Sequence, residues 1–263
     1  MRLSTIVAVV AIVVVAVAVF TGNDDQSTAA NTTTTVDPNL PTVPPDPNAA
    51  STTALPANTV ALVGPGPGAA ITGETPCPKA DGSSERTTEF AKAPPDCLTK
   101  GKKYTATFES NKGKIVVALD ADAAPKTVNN FVVLARYHFF DGQPIFRLIK
   151  DFAAQFGDPS KSPSNRAKFG YTIPDDLPAP GSYKVGSLVM ANESKPDTGG
   201  AQMFFVLGAQ GVALPPNYSL FGDTTEGLET IAAINAVPST PIAGNDGAPS
   251  EQVTFTKVTV TES

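Results

Sequence analysis

The chain has 263 residues, 41% hydrophobic and 17% charged, with a formal net charge of −6 and no basic cluster, which argues against a nucleic-acid backbone as partner. One histidine and two cysteines cannot supply the three or four ligands of a zinc finger or multi-histidine zinc enzyme. A Ser-His-Asp hydrolase would have to use His138 and lacks the Gly-x-Ser-x-Gly elbow, and 25 prolines with 21 glycines exclude a simple helical bundle.

Residues 6–20 are fifteen consecutive apolar residues, and Leu3, Ser4 and Thr5 extend the tolerable run to eighteen. That is the short limit for a spanning helix and the long limit for a secretory apolar core. Arg2 precedes the run and Asp24 and Asp25 follow it, so the orientation places the N-terminus inside and exports the rest. Ala16-Val17-Ala18 offers a small-x-small cleavage site, but it is embedded in the Val-rich run. Residues 1–20 therefore read as a single-pass cell-membrane anchor with an extracytoplasmic domain, the alternative being secretion after cleavage.

Residues 21–76 hold five acids, no Lys or Arg and no aromatic, with a Thr32–Thr35 run, Pro44-Pro45 and a Gly64-Pro65-Gly66-Pro67-Gly68 stretch. Such a segment buries too little surface to offset its ordering entropy, so it reads as a disordered spacer of about 40 Å root-mean-square reach. Pro65 and Pro67 remove the N–H groups that a phosphate loop needs. Cys77 and Cys97 come next, in a lead-in over residues 77–99. In an exported chain this pair most simply forms one internal disulfide, worth about 3 kcal/mol in the entropy model. Two free thiols or an intermolecular bridge are the alternatives.

From residue 100 the texture is that of a folded domain. Residues 104–109 and 114–120 read as two strands joined at Asn111-Lys112-Gly113, a hairpin signal. Pro125 opens a helix in which Val128, Phe131, Val132 and Ala135 recur at helical spacing, with His138 at its end. Short strands are predicted at 145–149, 152–156, 186–191 and 203–207, and a second helix around Leu228, Ile231 and Ile234. Residues 253–260 alternate as a strand, with a skip at Lys257 that implies a bulge. Many short strands with two helices imply a closed or nearly closed antiparallel barrel.

Four ordered segments carry more. They are Phe146-Arg147-Leu148-Ile149-Lys150-Asp151-Phe152-Ala153-Ala154-Gln155-Phe156-Gly157-Asp158, Gly186-Ser187-Leu188-Val189-Met190-Ala191-Asn192, Gly200-Ala201-Gln202-Met203-Phe204-Phe205 and Leu220-Phe221-Gly222. Over residues 100–263 they resemble the cyclophilin peptidyl-prolyl isomerases, and the anchor, spacer and cysteine loop resemble those of exported bacterial members. The resemblance implies a mainly β fold, an eight-stranded antiparallel barrel capped by two helices. The implied activity is isomerisation of X-Pro bonds in proline-containing polypeptides that fold outside the cytoplasm, by a monomeric domain with no cofactor or metal. A low-activity module that binds proline-containing segments of an envelope partner is the alternative.

The resemblance assigns residues. Arg147, Gln155 and Phe152 are the catalytic set, Arg147 stabilising the twisted imide and Gln155 holding its guanidinium. Phe152, Phe204 and Leu214 form the proline pocket. Asn192 and Ala191 bind the peptide backbone, Gln202 contacts the residue before proline, and Tyr218 stands where members carry histidine or, in some bacteria, tyrosine. The chain departs from the pattern at several points. Ala153 replaces a pocket methionine, with Phe156, in place of a glycine, as a neighbour able to fill the space. Phe146 stands for a histidine, Lys150-Asp151 for Pro-Gly, residues 161–168 for a glycine-rich loop, and Ala213 for the tryptophan of cyclosporin-sensitive members. A wider pocket is expected. Nothing in the motif calls for His138.

Overall fold

Hydrophobic alternation along the strands decides which way each side chain faces, and the sheet follows from it. The computed structural model describes residues 64–158, 169–241 and 247–263. The anchor over residues 1–20, the spacer up to residue 63 and the replaced loop over residues 161–168 lie outside them. Among the described residues no helix is long and apolar enough to cross a membrane.

β3 (Tyr104–Ser110) and β4 (Gly113–Leu119) form the expected hairpin, with Asn111-Lys112 as its turn. Tyr104, Ala106 and Phe108 point inward from one strand, Ile115, Val117 and Leu119 from the other. The strands that follow are β5 (Gln143–Pro144), β6 (Arg147–Ile149), β7 (Ala153–Phe156), β8 (Ser187–Met190), β9 (Met203–Val206), β10 (Leu220–Glu226) and β13 (Thr254–Glu262). With β3 and β4 they make one antiparallel sheet in the order β5-β13-β3-β4-β10-β8-β9-β7-β6. Its two edge strands are halves of a single stretch. The Ile145 N–H donates to the Val253 carbonyl (2.9 Å) and the adjacent Phe146 N–H to the Gln155 carbonyl (3.1 Å), so neighbouring amides join opposite edges and close the sheet. Counted once, that stretch gives the eight strands of the expected barrel. In β13 the register shifts between Phe255 and Lys257, and the inward set jumps from Phe255 to Val258 and Val260, which is the anticipated bulge.

α1 (Pro125–Arg136) carries Pro125 in its first turn and packs Val128, Phe131, Val132 and Ala135 on the sheet. Asp176 replaces a local cap, accepting from the Thr127 N–H (2.8 Å) and hydroxyl (2.9 Å). α3 (Leu228–Asn235) buries Ile231 and Ile234. A one-turn α2 (Ala209–Val212) joins the two predicted helices. β10 was not anticipated as a strand. Its Gly222 breaks the apolar pattern because a Cβ there would stand 2.7 Å from the Val117 side chain.

The spacer boundary moves. Residues 64–76 lie among the described residues: β1 (Ala69–Ile71) pairs in parallel with β2 (Thr87–Phe90), so this last part of the expected disordered span belongs to the lead-in. Cys77 and Cys97 form the internal disulfide, with Cα atoms 5.5 Å apart. The lead-in is fixed to the barrel by Phe90, which enters the core beside Tyr137, Phe139 and Phe169, and by the Tyr137 hydroxyl donating to the Pro76 carbonyl (2.9 Å). The helix stops before His138, whose φ is 55° and whose ring bridges Asp141 (3.0 Å) and the Gly82 carbonyl (2.8 Å). His138 is thus a latch for the lead-in.

Two further strands, β11 (Ser239–Pro241) and β12 (Gly247–Pro249), form a small antiparallel hairpin.

Candidate active site

Period-two alternation sorts the residues of β6 to β9 into two apolar clusters. Leu148, Ala154, Phe156, Leu188, Met190, Met203 and Phe205 face the barrel interior. Their neighbours Ile149, Ala153, Val189, Phe204 and Val206 face outward and join Phe152, Tyr183, Ala191, Leu214 and Tyr218 in a second cluster. The six non-amide, uncharged residues assigned to the site from the sequence, Phe152, Ala153, Phe204 and Leu214 at the pocket, Ala191 at the peptide backbone and Tyr218 in the histidine position, all fall in this outer cluster. Phe204 and Tyr218 meet edge to face with centroids 5.8 Å apart.

Phe156 does not fill the space beside Ala153. Successive strand residues point to opposite faces, so Phe156 lies in the barrel, stacked on Phe205 (5.7 Å) and against Phe255 (4.6 Å). Its added bulk is core volume. Ala153 keeps only a methyl toward the outer cluster, where the pattern has methionine, and Ala213 is exposed at the end of α2. The Lys150-Asp151 turn takes a positive φ of 58° at Asp151, an angle that aspartate tolerates better than most residues. Asn235 of α3 secures it, donating to the Asp151 carboxylate (2.9 Å) and accepting from its N–H (2.8 Å).

The polar residues form a line along the outer cluster. Arg147 on β6 pairs directly with Gln155 on β7. Its guanidinium donates to the Gln155 side-chain oxygen at 3.4 Å. The Gln155 amide donates to the Gln202 oxygen at 2.8 Å, and the Gln202 amide donates to the Asp158 carboxylate. A carboxylate only accepts. Asp158 therefore turns the Gln202 amide toward itself, which orients Gln155, which presents its oxygen to Arg147. Arg147 is 2% exposed and Gln155 0%. A cation held in such a water-poor place acts more strongly on a neighbouring dipole than it would in solvent. Gly157 makes the relay possible: its φ is +92°, and a Cβ there would lie 2.3 Å from the Ala201 carbonyl, next to Gln202.

Asn192 is engaged within the protein. Its amide donates to the Asn217 carbonyl (2.8 Å) and its oxygen accepts from the Ser194 N–H (3.0 Å), tying two loops that border the cluster. The Ala191 N–H donates to the Gln202 carbonyl (3.0 Å). Two residues were missed by the sequence reading. Asp158 was visible in the motif but carried no role. Tyr183 had no signal at all; its hydroxyl donates to the Tyr218 carbonyl (2.7 Å) and accepts from the Tyr218 N–H (3.2 Å), and burial raises its pKa to about 12.

The family model for cyclophilin type peptidyl-prolyl cis-trans isomerases matches residues 105–260. The chain belongs to that family. A peptidyl-prolyl cis-trans isomerase-like 1 of Mus musculus is 35% identical over 150 residues, 56% of this chain and 87% of that protein. A probable peptidyl-prolyl cis-trans isomerase A of Mycobacterium leprae is 34% identical over 172 residues, 59% of this chain and 91% of the relative. The crystal structure of a cyclophilin type isomerase from Cryptosporidium parvum superposes with a TM-score of 0.53 at 23% identity, covering 60% of this chain and 98% of that one. The chain is thus a peptidyl-prolyl cis-trans isomerase acting on proline-containing peptides. All ten site residues assigned from the sequence lie inside the cyclophilin match, and the cystine-bridged lead-in lies before it.

Proposed function

We propose that this cyclophilin isomerises X-Pro bonds of polypeptides folding outside the cytoplasm, tethered to the membrane by its N-terminal apolar run, with Arg147 stabilising the twisted imide. The observation that carries the mechanism is the guanidinium of Arg147, fixed by Gln155 at the edge of an apolar cluster built from Phe152, Phe204 and Leu214. Rotation about an X-Pro bond meets a barrier of about 18–20 kcal/mol, because the C–N bond has partial double-bond character. No bond breaks, so the catalyst needs only to favour the twisted state over both planar ones. In that state the proline nitrogen regains its lone pair, and the buried guanidinium donates a hydrogen bond to it. The apolar cluster holds the proline ring, and Gln202, Ala191 and Asn192 border the peptide that flanks it. The extracytoplasmic assignment is supported by the Cys77–Cys97 disulfide, since such bonds persist in oxidising compartments. The charge pattern around residues 6–20 agrees with it.

A protease-coupled isomer assay on the full-length chain, with a short proline peptide, tests the mechanism. Arg147→Ala should lower kcat/KM at least tenfold, about 1.4 kcal/mol or more, with an unchanged unfolding midpoint. Equal rates would remove Arg147 from the reaction. Protease shaving of intact cells, followed by detection of the residue 77–263 fragment, tests the location; protection of that fragment would overturn it.

A further inference from the structure

A groove of about 610 Å³ lies outside the outer cluster, between the lead-in and the start of α1. We infer that it docks an extended acidic segment of a partner polypeptide, a client held beside the isomerase site. Its volume is in the range that takes a ligand of several groups. Leu98, Pro125, Ile173 and Pro174 supply apolar lining, while Lys100, Lys102, Lys103 and Lys126 stand along it. Apolar lining edged by cations suits a chain whose successive side chains alternate, as those of an extended strand do.

The charge arrangement runs against the rest of the molecule. The chain is −6 overall and was expected to hold no basic cluster, yet the fold brings Lys126 beside Lys100, Lys102 and Lys103, so the groove sets four lysines against two acids, Asp96 and Asp122. Asp96 already accepts from the Leu98 N–H (3.2 Å). Elsewhere Lys92 pairs with Glu74, Lys112 with Glu251, Lys114 with Glu226 and Lys184 with Asp223, and the exposed lysines without an ion pair among the described residues, Lys79, Lys150, Lys195 and Lys257, are far apart along the chain. Among the described residues none of the four groove lysines forms an ion pair. The nearby Glu262 carboxyl is lowered first by its hydrogen bond from Arg136, with Lys102 a lesser contributor, so it is already committed. α1 adds to the surplus. Its first turn has no acid and holds Lys126, whereas acids are what the positive end of a helix favours.

The wall of the groove is built in advance. Asn129 of α1 accepts from the Cys97 N–H (2.8 Å) and donates to the Pro95 carbonyl (2.9 Å), and the disulfide holds the same segment from the other end. A partner therefore does not bear the cost of ordering it. The wall precedes the family match, so the groove is a feature of this chain added to the cyclophilin domain. One contact links it toward the isomerase site: Asn130, in its lining, donates to the Gly200 carbonyl (2.7 Å), two residues before Gln202.

The test is fluorescence anisotropy of the full-length chain with a fluorescein-labelled, proline-free octapeptide of alternating glutamate and leucine. Binding is expected, weakening in about 0.5 M salt as screening demands. Joint Lys100→Glu and Lys126→Glu substitution should weaken it at least tenfold, with turnover of a short uncharged proline peptide unchanged. Lys100→Ala with Lys126→Ala replaces that pair should charge reversal lower the unfolding midpoint. Arg147→Ala should leave octapeptide binding as it was. Equal affinity in the lysine variants, loss in Arg147→Ala, or equal binding of a lysine-leucine octapeptide would overturn the proposal. So would binding that appears only after Asp24, Asp25, Asp37 and Asp46 are changed to asparagine, which would mean that the chain's own acidic segment takes the groove.

Discussion

The two apolar clusters are made by the same strands and differ in what they ask of a residue. In β7 the interior takes Ala154 and Phe156 and the outer cluster takes Ala153 and Gln155. The interior is a volume problem. A phenylalanine stands where the family pattern has glycine, and the barrel accommodates it among Phe108, Phe205 and Phe255. The outer cluster is a geometry problem, in which a cation, two amides and a carboxylate must be aligned beside an apolar wall. A core can be rewritten if its total volume is kept. A site that orients dipoles cannot.

That contrast can be broken from either side. Phe156→Ala should cost the most, about 3–5 kcal/mol of stability as for other buried phenylalanines, read as a lower denaturant midpoint. Activity per folded molecule should stay near that of the parent; a site that failed along with the core would mean the two clusters are mechanically one. Arg147→Ala is the mirror case, with activity lost and midpoint kept.

Ala153→Met sharpens the comparison within the outer cluster. Each buried CH₂ is worth roughly 0.8 kcal/mol, so a proline peptide should bind several-fold tighter by calorimetry. Phe156, facing the other way, leaves that space to the new side chain. Weaker binding would show that Val206, paired with Ala153 across the strands, already closes the wall.

The smallest effect concerns Tyr183. Its native pKa, raised to about 12, exceeds the ordinary value of 10.0, so the folded state holds the proton more tightly than the unfolded chain. The contribution is complete below pH 10 and declines as pH rises through about 12. Tyr183→Phe should remove this alkaline component from a plot of midpoint against pH. An identical slope in both proteins would assign the alkaline loss to other groups.

The site was more legible than its supports. Arg147, Gln155, Gln202 and Phe204 were named through the resemblance their local motifs carry, and the pairing of β6, β7 and β9 then brings them together. Asp158 stood in plain view, but a relay is a property of three strands brought together, and no spacing within one segment discloses it. The lead-in was hardest. β1 and β2 are three and four residues long, set among glycines and prolines, and what docks them, Phe90 in the core and the Thr87 N–H donating to the Tyr137 carbonyl (2.9 Å), meets partners far along the chain. His138 read as a helix terminus because its sequence neighbours are helical, whereas one of its two ring partners, the Gly82 carbonyl, lies 56 positions away.

The adjacent amides of Ile145 and Phe146 have a kinetic implication. They join the two edges of the sheet, and Arg147 is the next residue in the chain. A slip of one position in that closing stretch would turn the arginine into the hydrophobic interior. Most of the barrel can therefore collapse and pair before the site exists. During refolding from denaturant, intrinsic fluorescence and hydrogen-exchange protection would report the early pairings, while the return of isomerase turnover would time the last seam to be sewn.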